Sequence, residues 1–338
     1  MKLHLRIIIL CTLLLFHNTV VISNSSDTFS NSIDNLFDNR NLKPGCAVGV
    51  IEEGQYIHKR GYGLANLEHE IKIDADTIFR IGSVSKQFTA MAIAILEEKG
   101  LLSFDDEMKS HIPDLIDYGE IVTINQMIHH FSGLGDYEYM DYPGRFKNAI
   151  DEEFRWGNED YLTNDEFHAM IKTLPLIRKP EKKFWYSNNG YVLLALVAQN
   201  VSGLSLRELA DQEIFSPLGM KNSFFNDNVN LPFKNRADAY SPIKDSPGKY
   251  RINVTNLSWV GDGGVYTSLN DFLKWDQNFY NNKLGKGSSS LIETMEKTYA
   301  QTKVKKRNQN ILREQENEKT YDFAQNNPYY NAYKTWTH

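Results

Sequence analysis

Between Ser83 and Lys99 the apolar residues Val84, Phe88, Met91, Ala92, Ile95 and Leu96 recur at helical spacing, and Gly100 follows them. This period predicts a buried helix opened by Ser83 and stopped by a glycine. Gly190 to Ser202 is apolar on nearly every face and ends at Gly203, which predicts a second buried helix. Gly45 to Ile51 and Gln55 to Tyr62 flank Glu52-Glu53-Gly54 as two strands of a hairpin. Leu64 to Arg80 follows as a loop with short extended pieces. From Gly100 to about Tyr250 the pattern breaks into short helices and polar loops, with capping boxes at Thr123/Gln126 and Ser205/Glu208. Thr163 is placed to cap a helix from Asn164 to Ile171. Between Phe131 and Phe167 lies an aromatic and acidic stretch that includes Tyr137, Tyr142 and Trp156. It reads as an irregular packed loop, with a lid over a substrate pocket as the second reading. Gly261 to Thr267 predicts a tight turn into a strand, where Gly263 and Gly264 let a backbone approach closely. Ser268 then caps a helix from Leu269 to Tyr280. Gln301 to Lys319 fits a charged surface helix, and Tyr321 to Phe323 with Tyr333 to His338 fits the start of a β-hairpin.

Composition narrows this picture. A chain of 338 residues that is 41% hydrophobic and 24% charged buries a substantial core, as one large domain or two intimate ones. The formal charge of −6 argues against a nucleic-acid-binding surface and suits small or neutral substrates. Met1 to Ser23 carries Lys2 and Arg6 ahead of an apolar run from Ile7 to Phe16, then Val21-Ile22-Ser23, the pattern of a cleaved export signal. An uncleaved anchor reaching Ile22 is the alternative. Cys11 leaves with such a leader, so Cys46 is then the one cysteine left, expected as a small buried residue at a strand start. Asn24, Asn200, Asn253 and Asn256 each open an N-x-S/T triplet.

The candidate chemistry sits at the head of the first helix. Ser83 and Lys86 are three residues apart, nearly one turn, so their side chains share a face. A serine hydroxyl needs a base to become a nucleophile, and a lysine serves as one when burial or a neighbouring cation lowers its pKa. The helix N-terminus offers backbone N–H groups to a developing oxyanion. A capping serine followed by a solvated lysine is the competing reading of the same four residues.

Four short motifs occur in one order: Phe79-Arg80-Ile81-Gly82-Ser83-Val84-Ser85-Lys86, His129-His130-Phe131-Ser132-Gly133-Leu134, Tyr186-Ser187-Asn188 and Gly263-Gly264. In this order the chain resembles the serine β-lactamase-related superfamily, in the branch of class C β-lactamases, D-alanyl-D-alanine carboxypeptidases, D-aminopeptidases and esterases. Ser216-Pro217-Leu218-Gly219-Met220 and Asp271-Phe272-Leu273-Lys274-Trp275 are similar to family wording too. The resemblance implies an α/β (α+β) fold in which an antiparallel sheet is flanked by helices. It places the sheet lobe at about 42–100 and 255–338, with a mostly helical lobe inserted at about 101–254.

By the same resemblance Ser83 is the acylated nucleophile, Lys86 its proton partner, Tyr186 the second acid or base, and Asn188 the holder of a substrate amide. Either Lys86 is the neutral base with Tyr186 relaying a proton, or Lys86 stabilises a Tyr186 phenolate; both assignments are open. His130 is expected to be structural, and Phe131 replaces a threonine common in the family. The third family motif, a His-x-Gly strand that completes the oxyanion hole, is matched at its first position by His338, another substrate-binding candidate. These implications add up to an exported serine hydrolase acting on a small-molecule or peptide amide or ester, with no metal or organic cofactor. A binding or scaffolding protein of the same fold is the rival expectation.

Overall fold

The computed structural model describes residues 28–37, 43–137, 164–253, 255, 257–297 and 299. The expected leader, Thr163, the core of the aromatic and acidic stretch at 138–163, the charged segment at 301–319 and the terminal pieces with His338 lie outside the described residues. The compact unit treated below ends at Lys297.

The hairpin forms from β1 (Cys46–Glu52) and β2 (Gln55–Tyr62), antiparallel, with a bulge between Val50 and Ile51. Its turn places Glu53 and Gly54 at φ 49° and 72°, the pairing of positive dihedrals that matches the twist of the flanking strands. Cys46 opens β1 as expected but is half-buried rather than buried. The Leu64 to Arg80 stretch supplies β3 (Leu64–Asn66), β4 (Ile71–Lys72) and β5 (Phe79–Arg80). Beyond them come β6 (Phe224–Phe225), β7 (Tyr240–Pro242), β8 (Tyr250–Ile252) and β9 (Val265–Thr267). Among the described residues the strands form four small antiparallel sheets: β1-β2, β3-β4, β7-β8 and the three-stranded β5-β9-β6.

The helices gather around one pair. Gly82–Ser85 is a 3-10 turn that leads into a helix at Lys86–Glu98, and Gly100 at φ 72° ends it. Phe88, Met91, Ala92, Ile93 and Ile95 on this helix are completely buried. Each of the larger side chains among them contributes about 1.5–3 kcal/mol on leaving water. Against it packs the helix Asn188–Ser202, whose N-terminus is capped by the Ser187 hydroxyl and whose C-terminus is closed by Gly203 at φ 73°. Both capping boxes are formed, at Ile124–Ile128 and at Leu206–Ala210. The helix Leu269–Tyr280 follows β9, but the Ser268 hydroxyl makes no cap hydrogen bond. This helix carries the hairpin: Tyr56 Oη donates to the Leu269 carbonyl at 2.5 Å, and Gln277 Nε2 donates to the Gly54 carbonyl at 2.8 Å.

Close approach in the glycine-rich turn falls to Gly264, as expected, but to Gly261 in place of Gly263. A Cβ on Gly261 (φ 116°) would lie 2.4 Å from the Tyr191 carbonyl oxygen and 2.8 Å from Ala195 Cβ. On Gly264 (φ 91°) it would meet Val260 at 2.7 Å, whereas on Gly263 the nearest atom is Arg80 Nη2 at an ordinary 3.5 Å. Gly261 and Gly264 are therefore the residues that need to lack a side chain. The Gly261→Ala variant is expected to lose at least about 2 kcal/mol through strain and overpacking. Gly100→Ala, at a positive φ in open space, loses about 1 kcal/mol. Urea unfolding of the two variants checks this, and equal losses contradict the close approach.

Candidate active site

Strand β5 delivers the nucleophile candidate. Phe79 and Arg80 pair with Thr267 and Tyr266 of β9, and the Ile81 N–H donates to the Val265 carbonyl at 3.0 Å. The chain then turns into the 3-10 segment and leaves Ser83 half-buried while Ser85 points inward. Ser85 is completely buried and its hydroxyl accepts the Val265 N–H at 3.0 Å. The two serines thus have different work, one facing the site and the other fastening the turn to β9.

Lys86 is 5% exposed, which rules out the solvated lysine of the competing reading. Neither segment end there has a side-chain cap hydrogen bond, which removes the capping serine as well. Nζ of Lys86 lies 2.7 Å from Asn188 Oδ1, 2.6 Å from the Asp262 carbonyl oxygen and 3.3 Å from Ser83 Oγ. It also stands 4.8 Å from the ring centre of Tyr186 and 5.4 Å from that of Tyr191. Ser83, Lys86, Tyr186 and Asn188 are thereby brought together around one nitrogen.

Asn188 starts the helix behind the site and is itself held. Its N–H donates to Asp136 Oδ2 at 2.9 Å, and one hydrogen of its Nδ2 is directed at Asp136 Oδ1 at 3.3 Å. Its Oδ1 is taken by Lys86, so the expected contact with a substrate amide falls to the second Nδ2 hydrogen. The Ser187 hydroxyl accepts the Gly190 N–H and donates to the Gly135 carbonyl at 2.6 Å. Gly261 is fixed from the same helix as Lys86, because Thr89 Oγ1 donates to its carbonyl at 2.7 Å.

The His129 to Leu134 motif acts as a strap beneath Tyr186. The carbonyls of His130, Phe131 and Gly133 accept the N–H groups of Trp185, Glu181 and Ile177. Gly133, at φ 76°, runs so close to the Arg178 carbonyl that a Cβ would sit 2.2 Å from its oxygen. His130 is held between this strap and Tyr186. Its ring lies 4.5 Å from that of Tyr186, and the Ser187 N–H donates to its Nδ1. Burial, with the nearby Lys86 and His129, pushes its imidazole down to about 3.

The Beta-lactamase family model matches residues 33–338. The chain belongs to the beta-lactamase family. Within that family it is similar to penicillin-binding protein 4* of Bacillus subtilis, 27% identical over 245 residues that are 69% of this chain and 51% of the relative. It is also similar to the D-aminopeptidase of Gluconobacter oxydans, 26% identical over 69% of this chain and 42% of the relative. The chain thus spans about half the length of the curated relatives it matches. Among solved structures, the octameric penicillin-binding protein homologue from Pyrococcus abyssi superposes with a TM-score of 0.64 at 28% identity, over 81% of this chain and 60% of that one. The hydrolase EstCE1, at 19% identity and a TM-score of 0.63, over 80% of this chain and 77% of that one, shares the fold.

In this beta-lactamase family chain, sequence reasoning missed Asp136, Tyr191 and the Asp262 carbonyl. Asp136 had a faint signal, an acid separated only by Gly135 from the Ser132 to Leu134 motif. A main-chain acceptor has none.

The neutral His130 has a consequence for stability. Between about pH 3 and pH 6.5 the unfolded chain binds a proton that the folded imidazole refuses, so stability falls as pH drops through that window. His168, pushed down to about 4 by burial, acts with the same sign. His130→Asn keeps an acceptor for Ser187, tolerates the φ of 62° at this position, and removes one of the two titrations. Chemical denaturation between about pH 6 and pH 4 is expected to show a slope shallower by on the order of 1 kcal/mol per pH unit. An unchanged slope contradicts a neutral His130.

Proposed function

We propose that the protein is a serine hydrolase that cleaves an amide or ester through an acyl-enzyme on Ser83. The observation that carries this reading is the arrangement of acceptors around Lys86 Nζ. Two short contacts, to Asn188 Oδ1 and the Asp262 carbonyl, fix Nζ in place. Ser83 Oγ lies 3.3 Å from the same nitrogen, within reach of a proton exchanged between the two groups. In this reading Lys86 takes the Ser83 proton as Oγ attacks the substrate carbonyl carbon. The Ser83 N–H, early in its 3-10 turn and without an acceptor inside it, donates to the oxyanion. Tyr186 passes a proton to the leaving amine or alcohol, and water then releases the acyl group by the reverse path.

Small esters, D-amino-acid peptides and β-lactams are the candidate substrates of this reading, since family membership alone does not choose among them. Residues 1–23 serve in this reading as an export leader. Incubation with a fluorophosphonate and mass spectrometry of the digest is the direct test. The adduct is expected on Ser83 and not on Ser85, whose hydroxyl is buried against β9. Lys86→Met and Tyr186→Phe are each expected to slow labelling by at least about 100-fold. Reversible ligand binding with no adduct on Ser83 overturns the hydrolase reading in favour of a binding protein.

A further inference from the structure

One glycine of the turn beside the site is not required by the fold. Gly261 and Gly264 have no room for a side chain, but Gly263 is buried, lacks a positive φ and still has space around it. Among the described residues, its chain neighbours apart, a Cβ there would meet only Arg80 Nη2 at 3.5 Å and the Gly82 carbonyl oxygen at 3.8 Å. The gap borders Ser83. Gly263 follows the Asp262 carbonyl that Lys86 Nζ contacts at 2.6 Å, and the same nitrogen is 3.3 Å from Ser83 Oγ. Arg80 reaches the gap from β5. Ile81 packs against the core, so by strand alternation the preceding Arg80 faces outward, opposite Tyr266 of β9, and is exposed. Among the described residues no hydrogen bond or ion pair holds its guanidinium. The Asp262 carboxyl attracts it from beyond ion-pair distance and is itself taken by the Tyr137 hydroxyl at 2.5 Å.

We propose that Arg80 is a substrate-binding residue whose guanidinium, across the gap left open at Gly263, receives a carboxylate carried by the amide or ester that Ser83 attacks. This rests on the reading of Ser83 as the acylated serine. A guanidinium presents paired N–H donors that match the two oxygens of a carboxylate, and it keeps its charge at every relevant pH. On an open surface such a pair contributes little, because water and salt compete for both partners. Beside a buried turn, with the rest of the substrate laid over it, the same pair contributes more. A side chain at position 263 would stand in that space, which gives the glycine a reason that packing does not. The net charge of −6 exerts no long-range pull on an anion, so selectivity for one has to come from a local cation. Arg207, which lies over Phe224 of the same sheet, is by contrast already paired with Asp227 at 3.1 Å.

The test compares kcat/KM within two pairs of esters. Para-nitrophenyl hemisuccinate against para-nitrophenyl butyrate places the carboxylate in the acyl half, and the butyrate ester of meta-hydroxybenzoate against phenyl butyrate places it in the leaving half. The wild-type chain is expected to favour the anionic member of at least one pair, and Arg80→Gln to reduce that anionic-to-neutral ratio by at least about 10-fold. Arg80→Lys, which keeps the charge but not the fork, is expected to restore part of the ratio. No anionic preference in the wild type, or a loss in Arg80→Gln shared equally by both members of a pair, overturns the proposal. Gly263→Ala is expected to unfold in urea near the wild-type midpoint; a midpoint as low as that of Gly261→Ala makes the glycine a packing need and overturns the subsite. Equilibrium binding separates the proposal from the hydrolase reading. In protein labelled with nitrogen-15 arginine, the Arg80 side-chain signal, identified by its absence in Arg80→Gln, is expected to shift on titration with glutarate and not with glutaramide. That shift supports the subsite even where no ester is cleaved and Ser83 takes no fluorophosphonate, a result that overturns the hydrolase reading alone. Where nothing is cleaved, an unmoved signal overturns the subsite.

Discussion

Burying a lysine amine among tyrosine rings is the constraint on which the site depends. Water no longer solvates Nζ, so the protein has to supply acceptors, and an unsatisfied one costs on the order of several kcal/mol. The supply comes from a side-chain amide at the head of one helix and a carbonyl in a glycine-rich turn. Both then need support of their own. Asp136 holds the amide, and Thr89 with the side-chain-free Gly261 holds the turn. The architecture around Ser83 is a nested set of such obligations, each discharged by a residue one step further from that serine.

Elements with long periodicity and firm ends were legible in the sequence. The helices at Lys86–Glu98 and Asn188–Ser202 and the β1-β2 hairpin follow from apolar spacing bounded by glycine, and the two capping boxes follow from paired side chains at fixed offsets. The strands Phe224–Phe225, Tyr240–Pro242 and Tyr250–Ile252 were not, because two or three residues are too few to establish alternation. Their existence is settled by partners far along the chain, as when β6 pairs with β9. At the site, the residue types Ser83, Lys86, Tyr186 and Asn188 were legible from motif order. Asp136 and Tyr191 were hidden because nothing local distinguishes a buttress from any other acid or core aromatic.

Two phrases that looked like family wording turn out to describe one joint. Asp271 accepts the Asn222 N–H at 2.5 Å and the Ser223 hydroxyl at 2.9 Å, and pairs with Lys274, which also reaches the Gly219 carbonyl. Trp275, beside them, is buried against Phe88 with ring centres 4.4 Å apart. The segment after Met220 is thus clamped to the helix following β9, and through Phe88 to the helix that carries Lys86. Motif words far apart in sequence mark the two sides of a contact.

The acceptors of Lys86 lie 102 and 176 residues further along the chain. Closing loops of that length is entropically expensive and belongs to the slow, non-local phase of folding. Helix Lys86–Glu98 forms from local contacts, but a Ser83 and Lys86 pair on an isolated helix has water around the amine and no reason to react. On the proposed reading, chemical competence arrives with these long-range closures, and an emerging chain is inert until they are made.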